Sequence, residues 1–217
     1  MHDLLAGCAI LDGEGLTTAF GHVSVRTAAD EVCISGNAGP GLVREADDLL
    51  TLGLDGTVRE GDPTQLPGEA AIHLAILARR PDVGSVCRFH GPAALAWSTL
   101  GRPLPATTGL VGDEVPWFDT STTVTTLEHA GRLADRLGDG TAVLLRGFGA
   151  VTVGASLAEA VVRAWLLERA AAAVVAAAAI ATPLPFPAAG GPAPAQLRRA
   201  WNYLTHRWPT TAEVLRA

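Results

Sequence analysis

The sequence predicts a single α/β domain, and three features of the chain support that fold class. The chain has 217 residues, which is long enough for one sizeable core. Its first third alternates in short β-like pieces, and from Pro67 onward segments of helical periodicity alternate with further strand-like segments. Hydrophobic residues make up 48% of the chain and charged residues 18%, which is typical of a well-buried protein. Interleaved helices and strands favour an α/β fold over an all-α or all-β fold.

The first third is predicted to contain one helix followed by strands. Residues 1–13 are predicted to be helical, with Gly13 at the end. The segment FGHVSVRTAADEVCISG predicts a β-hairpin, because two β-like runs flank the turn TAAD. After the acidic EADD, the segment LLTLGLDGTV predicts another strand with a turn at Asp55-Gly56.

The middle of the chain is predicted to alternate between helix and strand. GEAAIHLAILARRP has apolar residues at helical spacing and predicts a helix that ends before Pro81. Residues 84–90 predict a strand, and Pro92 suits the first turn of the next helix. TTLEHAGRLADRLGDG predicts a helix with a capping box formed by Thr125 and Glu128.

The last third is predicted to contain a hairpin and a long helix. GTAVLLRGFGAVTVG predicts two short strands around Gly147-Phe148-Gly149. Ser156 and Glu159 have capping-box spacing and predict a helix that reaches about Thr182. Residues 1–182 are therefore assigned to the main domain, and residues 183–217 to a Pro/Gly-rich linker and a C-terminal helix that docks on the main body or on a neighbouring subunit.

Charge and composition limit the partners. The net charge of −6 arises from 22 acidic and 16 basic residues without a basic run, which argues against nucleic acid as a partner. The most apolar run, Ala170–Ala181, is shorter than the roughly 18 to 20 residues of a membrane span. The N-terminus does not resemble a signal peptide, and three widely spaced cysteines are typical of buried thiols in a reducing compartment. The expected location is cytoplasmic, with no membrane partner.

Six segments in a fixed order resemble the class II aldolase/adducin family. They are GHVSVR (21–26), SG (35–36), GEAAIH (68–73), RPDVGSVCRFHGPAALAWS (80–98), LLRGFGAV (144–151) and SLAEAVVRAWLLERAA (156–171). The resemblance implies a three-layer α/β/α sandwich around a central, mainly antiparallel sheet. It also implies a homotetramer with sites between subunits, and a small-molecule carbonyl or carboxylate substrate.

The resemblance also locates the positions at which enzymes of this family bind a divalent metal. Two histidines in an H-x-H pair and a third in a G-H-G turn hold the ion, beside a glutamate that transfers a proton. These positions read Arg88-Phe89-His90, Gly147-Phe148-Gly149 and Glu69. Arginine has no lone pair to offer, phenylalanine has no donor atom, and a guanidinium repels a nearby cation. The sequence therefore predicts no metal and no other cofactor, with a rebuilt site of His90, Glu69 and His22 as the alternative.

The predicted catalytic residues are Glu69, Arg88, His90 and Tyr203. Arg88 is expected at the mouth of a strand, where its guanidinium can clamp an anionic oxygen. His90 or Glu69 is expected to act as general acid or base, and the resemblance implies that Tyr203 donates a proton across a subunit interface. The predicted substrate-binding residues are His22, Ser24, Ser35, Gly36 and Phe148.

Three functions remain open on the sequence alone. The leading hypothesis is a metal-independent lyase, decarboxylase, dehydratase or cyclase of specialised metabolism that acts on an enolisable or anionic carbonyl compound. The second is a non-catalytic, adducin-like binding or assembly protein, in which Arg88 merely pairs with Glu69 in a closed pocket. His73 is expected to be a packed helix histidine under any of these hypotheses. The third is a metal-dependent aldolase or iron oxygenase with rebuilt ligands. An open cavity with convergent polar groups favours an enzyme.

Overall fold

The computed structural model of the chain describes residues 2–186 and 190–210. Within these ranges six α-helices and eight β-strands alternate along the chain. The helices are α1 (His2–Gly13), α2 (Ala70–Arg79), α3 (Pro92–Ser98), α4 (Leu127–Leu137), α5 (Leu157–Ala178) and α6 (Pro194–Arg207). The strands are β1 (His22–Ala28), β2 (Glu31–Ser35), β3 (Leu49–Gly53), β4 (Val58–Glu60), β5 (Ser85–Phe89), β6 (Trp117–Phe118), β7 (Ala142–Leu145) and β8 (Gly149–Gly154).

The strands form one sheet in the order β4-β3-β2-β1-β5-β8-β7-β6. Neighbouring strands are antiparallel throughout, apart from β6 and β7, which run parallel. β1 and β5 lie side by side near the centre, with His22 opposite Arg88. The predicted α/β fold with a mainly antiparallel sheet is confirmed.

Helices cover both faces of the sheet and complete the three layers. α2 and α4 pack against each other on one face, over a core that includes Val86 of β5. α1, α3, α5 and α6 cover the other face, over a core that includes Cys87 and Phe89. Because strand side chains alternate between faces, Arg88 points with Val86 into the layer between the sheet and α2.

The helix caps follow the sequence with one exception. Ser156 caps α5 as predicted, since its hydroxyl oxygen accepts from the Glu159 N–H at 3.3 Å. The predicted cap Thr125 is wrong. Thr126 has the extended backbone of an N-cap, and its hydroxyl oxygen accepts from the His129 N–H at 3.2 Å. Both adjacent threonines are of a residue type that caps helices, and the spacing to Glu128 favoured Thr125, but the helix begins one residue later. Helix α5 ends at Ala178, a few residues earlier than expected.

The C-terminal helix α6 packs on the main body of the same chain. Leu197 and Leu204 are buried in the core that α1 and α5 also line. The Glu14 carboxylate accepts hydrogen bonds from the indole N–H groups of Trp165 at 2.8 Å and Trp208 at 2.9 Å. Burial acts to raise the pKa of Glu14, but these two bonds and the nearby arginines outweigh it, so its pKa is lowered. The parts of the predicted linker and tail at 187–189 and 211–217 lie outside the described residues.

Two expectations drawn from composition can be compared with the structure. Cys8, Cys33 and Cys87 are free and buried, and burial raises the pKa of Cys87 to about 12. Among the helices of the described ranges, none is both long enough and apolar enough to cross a bilayer.

Replacing Glu14 with alanine should loosen α6. The two indole N–H groups lose their acceptor, and we expect the free energy of unfolding to fall by about 1–3 kcal/mol. Amide hydrogen exchange should become faster in residues 194–207. The matched control is Glu128→Ala, which removes an exposed i,i+4 pair with Arg132 and should cost less than about 0.5 kcal/mol. Unchanged exchange in α6 of Glu14→Ala would mean that apolar packing alone holds this helix.

Candidate active site

A cavity of about 590 Å³ opens at one end of the central strands, beside the N-terminus of α2. It lies where β1 begins and where β2, β5 and β7 end. Its size falls within the range of small-molecule sites, and it is larger than a second cavity of about 220 Å³ beside residues 110–116. The lining residues are Ala19, Phe20, Gly21, His22, Asn37, Pro67, Gly68, Glu69, His90, Thr123, Thr125 and Phe148.

Arg88 lies beneath the cavity wall and does not line the cavity. Its side chain is 0% exposed. Nη1 donates to the carbonyl oxygens of Phe89 at 2.9 Å and Phe148 at 2.6 Å. The expectation of an accessible arginine at the mouth of the strand is wrong, because Arg88 points into the layer beneath α2, where main-chain carbonyls surround it. Burial lowers the pKa of Arg88, although the nearby Glu69 carboxylate acts in the opposite direction.

Glu69 connects the buried Arg88 to the cavity. It occupies the N-cap position of α2, and its side chain is 12% exposed. Oε1 accepts from the Val124 N–H at 3.0 Å, and Oε2 lies 3.3 Å from Nε of Arg88. The Arg88 contact is an ion pair without good hydrogen-bond alignment, since Nε and Nη2 find no acceptor of suitable geometry within the described ranges. The Arg88–Glu69 pair that was expected for a non-catalytic protein is therefore present. Glu69 nevertheless remains at the cavity wall.

His22, His73 and Ser24 form a hydrogen-bonded cluster behind another part of the wall. Nδ1 of His22 lies 2.6 Å from Nε2 of His73, and Nδ1 of His73 lies 2.6 Å from the Ser24 hydroxyl oxygen. Burial lowers the pKa of His73 to about 3, and the charge of Arg88 acts in the same direction. Burial, then His73 and Arg88, hold the pKa of His22 well below its ordinary value. Both imidazoles are neutral at pH 7.

His90 lies just beyond the end of β5 and lines the cavity. Its ring meets Phe20 edge to face, with the ring centroids 6.4 Å apart. The pKa of His90 is lowered to about 4, chiefly by burial and also by the charge of Arg88, against the opposing effect of a hydrogen bond with the Phe148 backbone. His90 therefore presents a third neutral imidazole.

The structure divides the predicted substrate-binding residues into two groups. His22 and Phe148 line the cavity. Ser24, Ser35 and Gly36 do not, because their polar groups serve the protein interior. The Ser35 hydroxyl oxygen accepts from the Val23 N–H at 3.1 Å, and the Gly36 N–H donates to Asp48 at 3.0 Å. A role for these three residues in direct substrate contact remains a prediction.

Phe148 owes its position to the glycine that follows it. Gly149 has φ +85°, and a Cβ there would collide with the Phe89 carbonyl. The tight approach brings the turn between β7 and β8 next to the end of β5. Phe148 thus stands at the cavity as the resemblance implied.

Tyr203 is far from this arrangement within one chain. It is 52% exposed on α6, and its hydroxyl oxygen accepts from Nη1 of Arg207 at 3.0 Å. It does not line the cavity of its own chain. Its role across a subunit interface remains a prediction.

The lining residues with aromatic or polar side chains that sequence reasoning missed are Phe20, Asn37, Thr123 and Thr125. The threonines belong to the polar run STTVTT before α4, and Asn37 directly follows the Ser35-Gly36 motif. Phe20 is 70% exposed beside the GHVSVR motif. Phe20 and Asn37 could have been predicted, because each is next to a family motif in the sequence. The threonines are near no such motif, and only tertiary packing brings them to the cavity.

Comparison with known proteins gives the family. The family model "Class II Aldolase and Adducin N-terminal domain" matches residues 2–175. The chain belongs to the class II aldolase and adducin family. It is 30% identical over 173 residues to a 3,4-dihydroxyphthalate decarboxylase from Arthrobacter keyseri, covering 72% of this chain and 70% of that protein. It is 28% identical over 188 residues to the decarboxylase tropJ from Talaromyces stipitatus, covering 74% and 69%.

Solved structures agree with this assignment. An aldolase II superfamily protein from Pseudomonas syringae superposes with a TM-score of 0.79 at 25% identity, covering 94% of this chain and 90% of that one. An L-fuculose 1-phosphate aldolase from Glaciozyma antarctica superposes with a TM-score of 0.78 at 22% identity, covering 95% and 88%. At 22% identity, the similarity to the L-fuculose 1-phosphate aldolase shows a shared fold only.

The residues at the family's metal positions do not fit a divalent cation. Arg88 and Phe148 supply no ligand atom, and Nδ1 of His22 already contacts His73. Both Glu69 oxygens face donors, one of which is a cation. Across residues 2–186 and 190–210, no three histidine, cysteine, aspartate or glutamate side chains form a group suited to a metal. The rebuilt set of His22, Glu69 and His90 finds no support in this geometry.

Breaking the Arg88–Glu69 pair should be costly. Arg88→Met leaves a partly buried carboxylate without its cation, and we expect the free energy of unfolding to fall by about 3–5 kcal/mol. Glu69→Gln should also destabilise the protein, and the double variant should lose clearly less than the sum of the two. The exposed Arg132–Glu128 pair is the control, with an expected coupling of about 0.3–0.5 kcal/mol. Strictly additive losses for Arg88 and Glu69 would contradict the pairing.

The neutral histidines should make stability fall in mild acid. The folded pKa of His90 is about 4, below the ordinary 6.5, so the unfolded chain binds a proton first as the pH falls. The contribution of His90 to the free energy of unfolding is therefore fully present above pH 6.5 and is lost as the pH falls from about 6.5 to 4. His90→Asn should reduce the slope of the unfolding free energy in this window by up to about 1.4 kcal/mol per pH unit. The exposed His206→Asn serves as the control, and an equal slope change in both variants would refute the assignment.

Proposed function

We propose that this protein is a lyase that works without a metal ion, and that its leading reaction is decarboxylation of an anionic, enolisable or aromatic carboxylate. The supporting observation is the position of the Glu69 carboxylate. The buried Arg88 holds it at the wall of a cavity of about 590 Å³, beside neutral histidines. Family relatives named as decarboxylases support the choice of reaction. Dehydration, cyclisation and aldol cleavage use the same acid/base groups.

Glu69 is the residue proposed to move the proton. It touches the cavity, and the Val124 N–H and Arg88 fix both of its oxygens. In the proposed reaction Glu69 takes a proton from a substrate hydroxyl. The bond to the departing CO₂ breaks, its electron pair stays on the substrate carbon, and Glu69 returns its proton to that carbon, while the deprotonated hydroxyl regains a proton from water. Each CO₂ released from a carboxylate consumes one proton from water overall.

Arg88 is proposed to act through Glu69 and through its electric field. The guanidinium stands at a family metal position and lies beneath the wall, so it places a fixed positive charge near developing negative charge. The direct anion clamp expected from the sequence would require Arg88 to become accessible on substrate binding. The field acts without that movement, and together with burial, which has the larger effect, it lowers the pKa values of His73 and His90.

The remaining lining residues suit a flat or apolar substrate body. Phe20 and Phe148 provide aromatic surface, while His90, Thr123 and Thr125 provide polar contacts. We further propose a cytoplasmic homotetramer of specialised metabolism, in which a neighbouring subunit contributes Tyr203. These proposals rest on the family resemblance.

An adducin-like binding protein is the second candidate. The Arg88–Glu69 ion pair favours it, because a carboxylate paired with a buried cation can be a remnant of a lost site. The open cavity favours the enzyme, because a cavity with a few convergent polar groups is typical of a small-molecule site, whereas the non-catalytic hypothesis predicts a closed pocket.

The proposal is tested by CO₂ release from 3,4-dihydroxyphthalate and related hydroxylated aromatic carboxylates, with L-fuculose 1-phosphate as an aldol substrate. Protein treated with a chelator should keep its activity, and mass spectrometry should find no stoichiometric metal. Glu69→Gln should lower kcat by about 10²–10⁴-fold, whereas the exposed Glu128→Gln should not. Folded, inactive wild-type protein would favour the binding candidate. Activity that disappears with the chelator and returns with zinc or manganese would overturn metal independence.

A further inference from the structure

Three buried side chains are connected by hydrogen bonds into a series that ends at the cavity. Ser24 and His73 are 0% exposed, and His22, at 6%, lines the cavity. The two short contacts join Ser24 to His73 and His73 to His22, at 2.6 Å each. The mechanism proposed above does not use Ser24 or His73. Their arrangement nevertheless determines which nitrogen of His22 carries its hydrogen.

Each contact contains one hydrogen, and the two neutral imidazoles allow two assignments. In the first, Ser24 donates to Nδ1 of His73, Nε2–H of His73 donates to Nδ1 of His22, and His22 carries its own hydrogen on Nε2. In the second, every direction is reversed, so that Nδ1–H of His22 donates to His73 and Nε2 of His22 has a free lone pair. Coordinates of heavy atoms fit both assignments, and the surroundings must decide between them.

Ser24 decides between the two assignments. Its hydroxyl oxygen contacts His73, and it has no other hydrogen-bond partner within residues 2–186 and 190–210. In the second assignment the buried Ser24 hydrogen would therefore have no acceptor, which is unfavourable in a dry interior. In the first assignment both buried contacts have a donor and an acceptor, and the remaining hydrogen, on Nε2 of His22, lies on the side chain that lines the cavity. The serine thus orients His73, and His73 orients His22.

The outer nitrogen of His22 remains available. Nε2 has no hydrogen-bond partner among the described residues, and it is not among the fully buried polar atoms that lack a partner. Since His22 lines the cavity, Nε2 is the nitrogen that a bound molecule can reach.

We infer that Ser24 and His73 hold His22 as the Nε2–H tautomer, so that His22 donates a hydrogen bond to an anionic oxygen of the substrate and does not act as a base. Ser24 and His73 are then positioning residues. The substrate part rests on the proposed function, whereas the tautomer does not. An Nε2–H nitrogen also offers no lone pair to a metal, which agrees with the poor fit of this site to a cation.

The tautomer is measured directly by nitrogen NMR of the full-length protein with isotope-labelled histidine. His22→Gln and His90→Asn assign the signals, and protonated and unprotonated ring nitrogens resonate in well-separated regions. We expect His22 to be protonated at Nε2 and unprotonated at Nδ1. Ser24→Ala removes the orienting hydroxyl and should give a mixture of both tautomers, while Ser24→Thr keeps the hydroxyl and should restore the wild-type pattern. Wild-type His22 protonated at Nδ1 would overturn the inference, even if the serine variants do not fold.

The donor role is measured with phthalate as an aromatic dicarboxylate probe. His22→Phe keeps an aromatic ring and loses the donor, so phthalate affinity should fall about tenfold or more. His22→Gln places an amide donor near the same point and should recover part of that loss. The expected tautomer together with unchanged phthalate affinity in His22→Phe would overturn the donor role. The expected tautomer without phthalate binding by the wild type would instead contradict the substrate class of the proposed function, and the positioning of His22 would stand.

Discussion

A single buried charge organises the candidate site. Arg88 is enclosed beneath the cavity wall, where the carbonyls of Phe89 and Phe148 and the carboxylate of Glu69 surround its guanidinium. Burying a cation is costly unless it is paired and hydrogen-bonded, so the turn that contains Phe148 and the N-terminus of α2 must both approach the end of β5. The geometry of the cavity wall follows from this requirement. The same charge disfavours protonation of His73 and His90, and so it extends its influence beyond the groups it contacts.

The site separates charged from neutral groups. Glu69 is the carboxylate at the cavity wall with a cation behind it, whereas His22 and His90 present imidazoles whose pKa values are lowered. The resemblance seen in the sequence implies a metal-binding H-x-H pair at residues 88 and 90. Here Arg88 occupies the first of these positions, and its guanidinium is a fixed cation in the protein interior. The neutral histidines are then free to act as hydrogen-bond donors, with an orientation that the buried Ser24–His73 contact determines.

The fold could be predicted from the sequence to a large extent, because its signals are local. Alternating apolar residues identified β5, helical spacing identified α2, and Ser156 marked the start of α5. The cap of α4 shows the limit of such signals, since the capping-box spacing to Glu128 favoured Thr125, whereas the backbone begins the helix after Thr126. The site was less accessible. Glu69, His90, His22 and Phe148 were expected at the cavity and lie there, yet Ser24 and Ser35 belong to the interior.

The sequence alone determined the family motifs, the alternation of helices and strands, and the presence of Arg88 and Phe148 where the resemblance implies metal-binding histidines, because these are properties of residue identity and spacing. Only the tertiary structure decided that Arg88 is enclosed and Glu69 exposed to the cavity. Strand alternation gives the face of the sheet on which a side chain lies, but not what covers that face. The approach of α2, and of the turn before β8, closes over Arg88 and leaves the cavity beside it. That closure arises from contacts between residues roughly 20 to 60 positions apart, which no local pattern records.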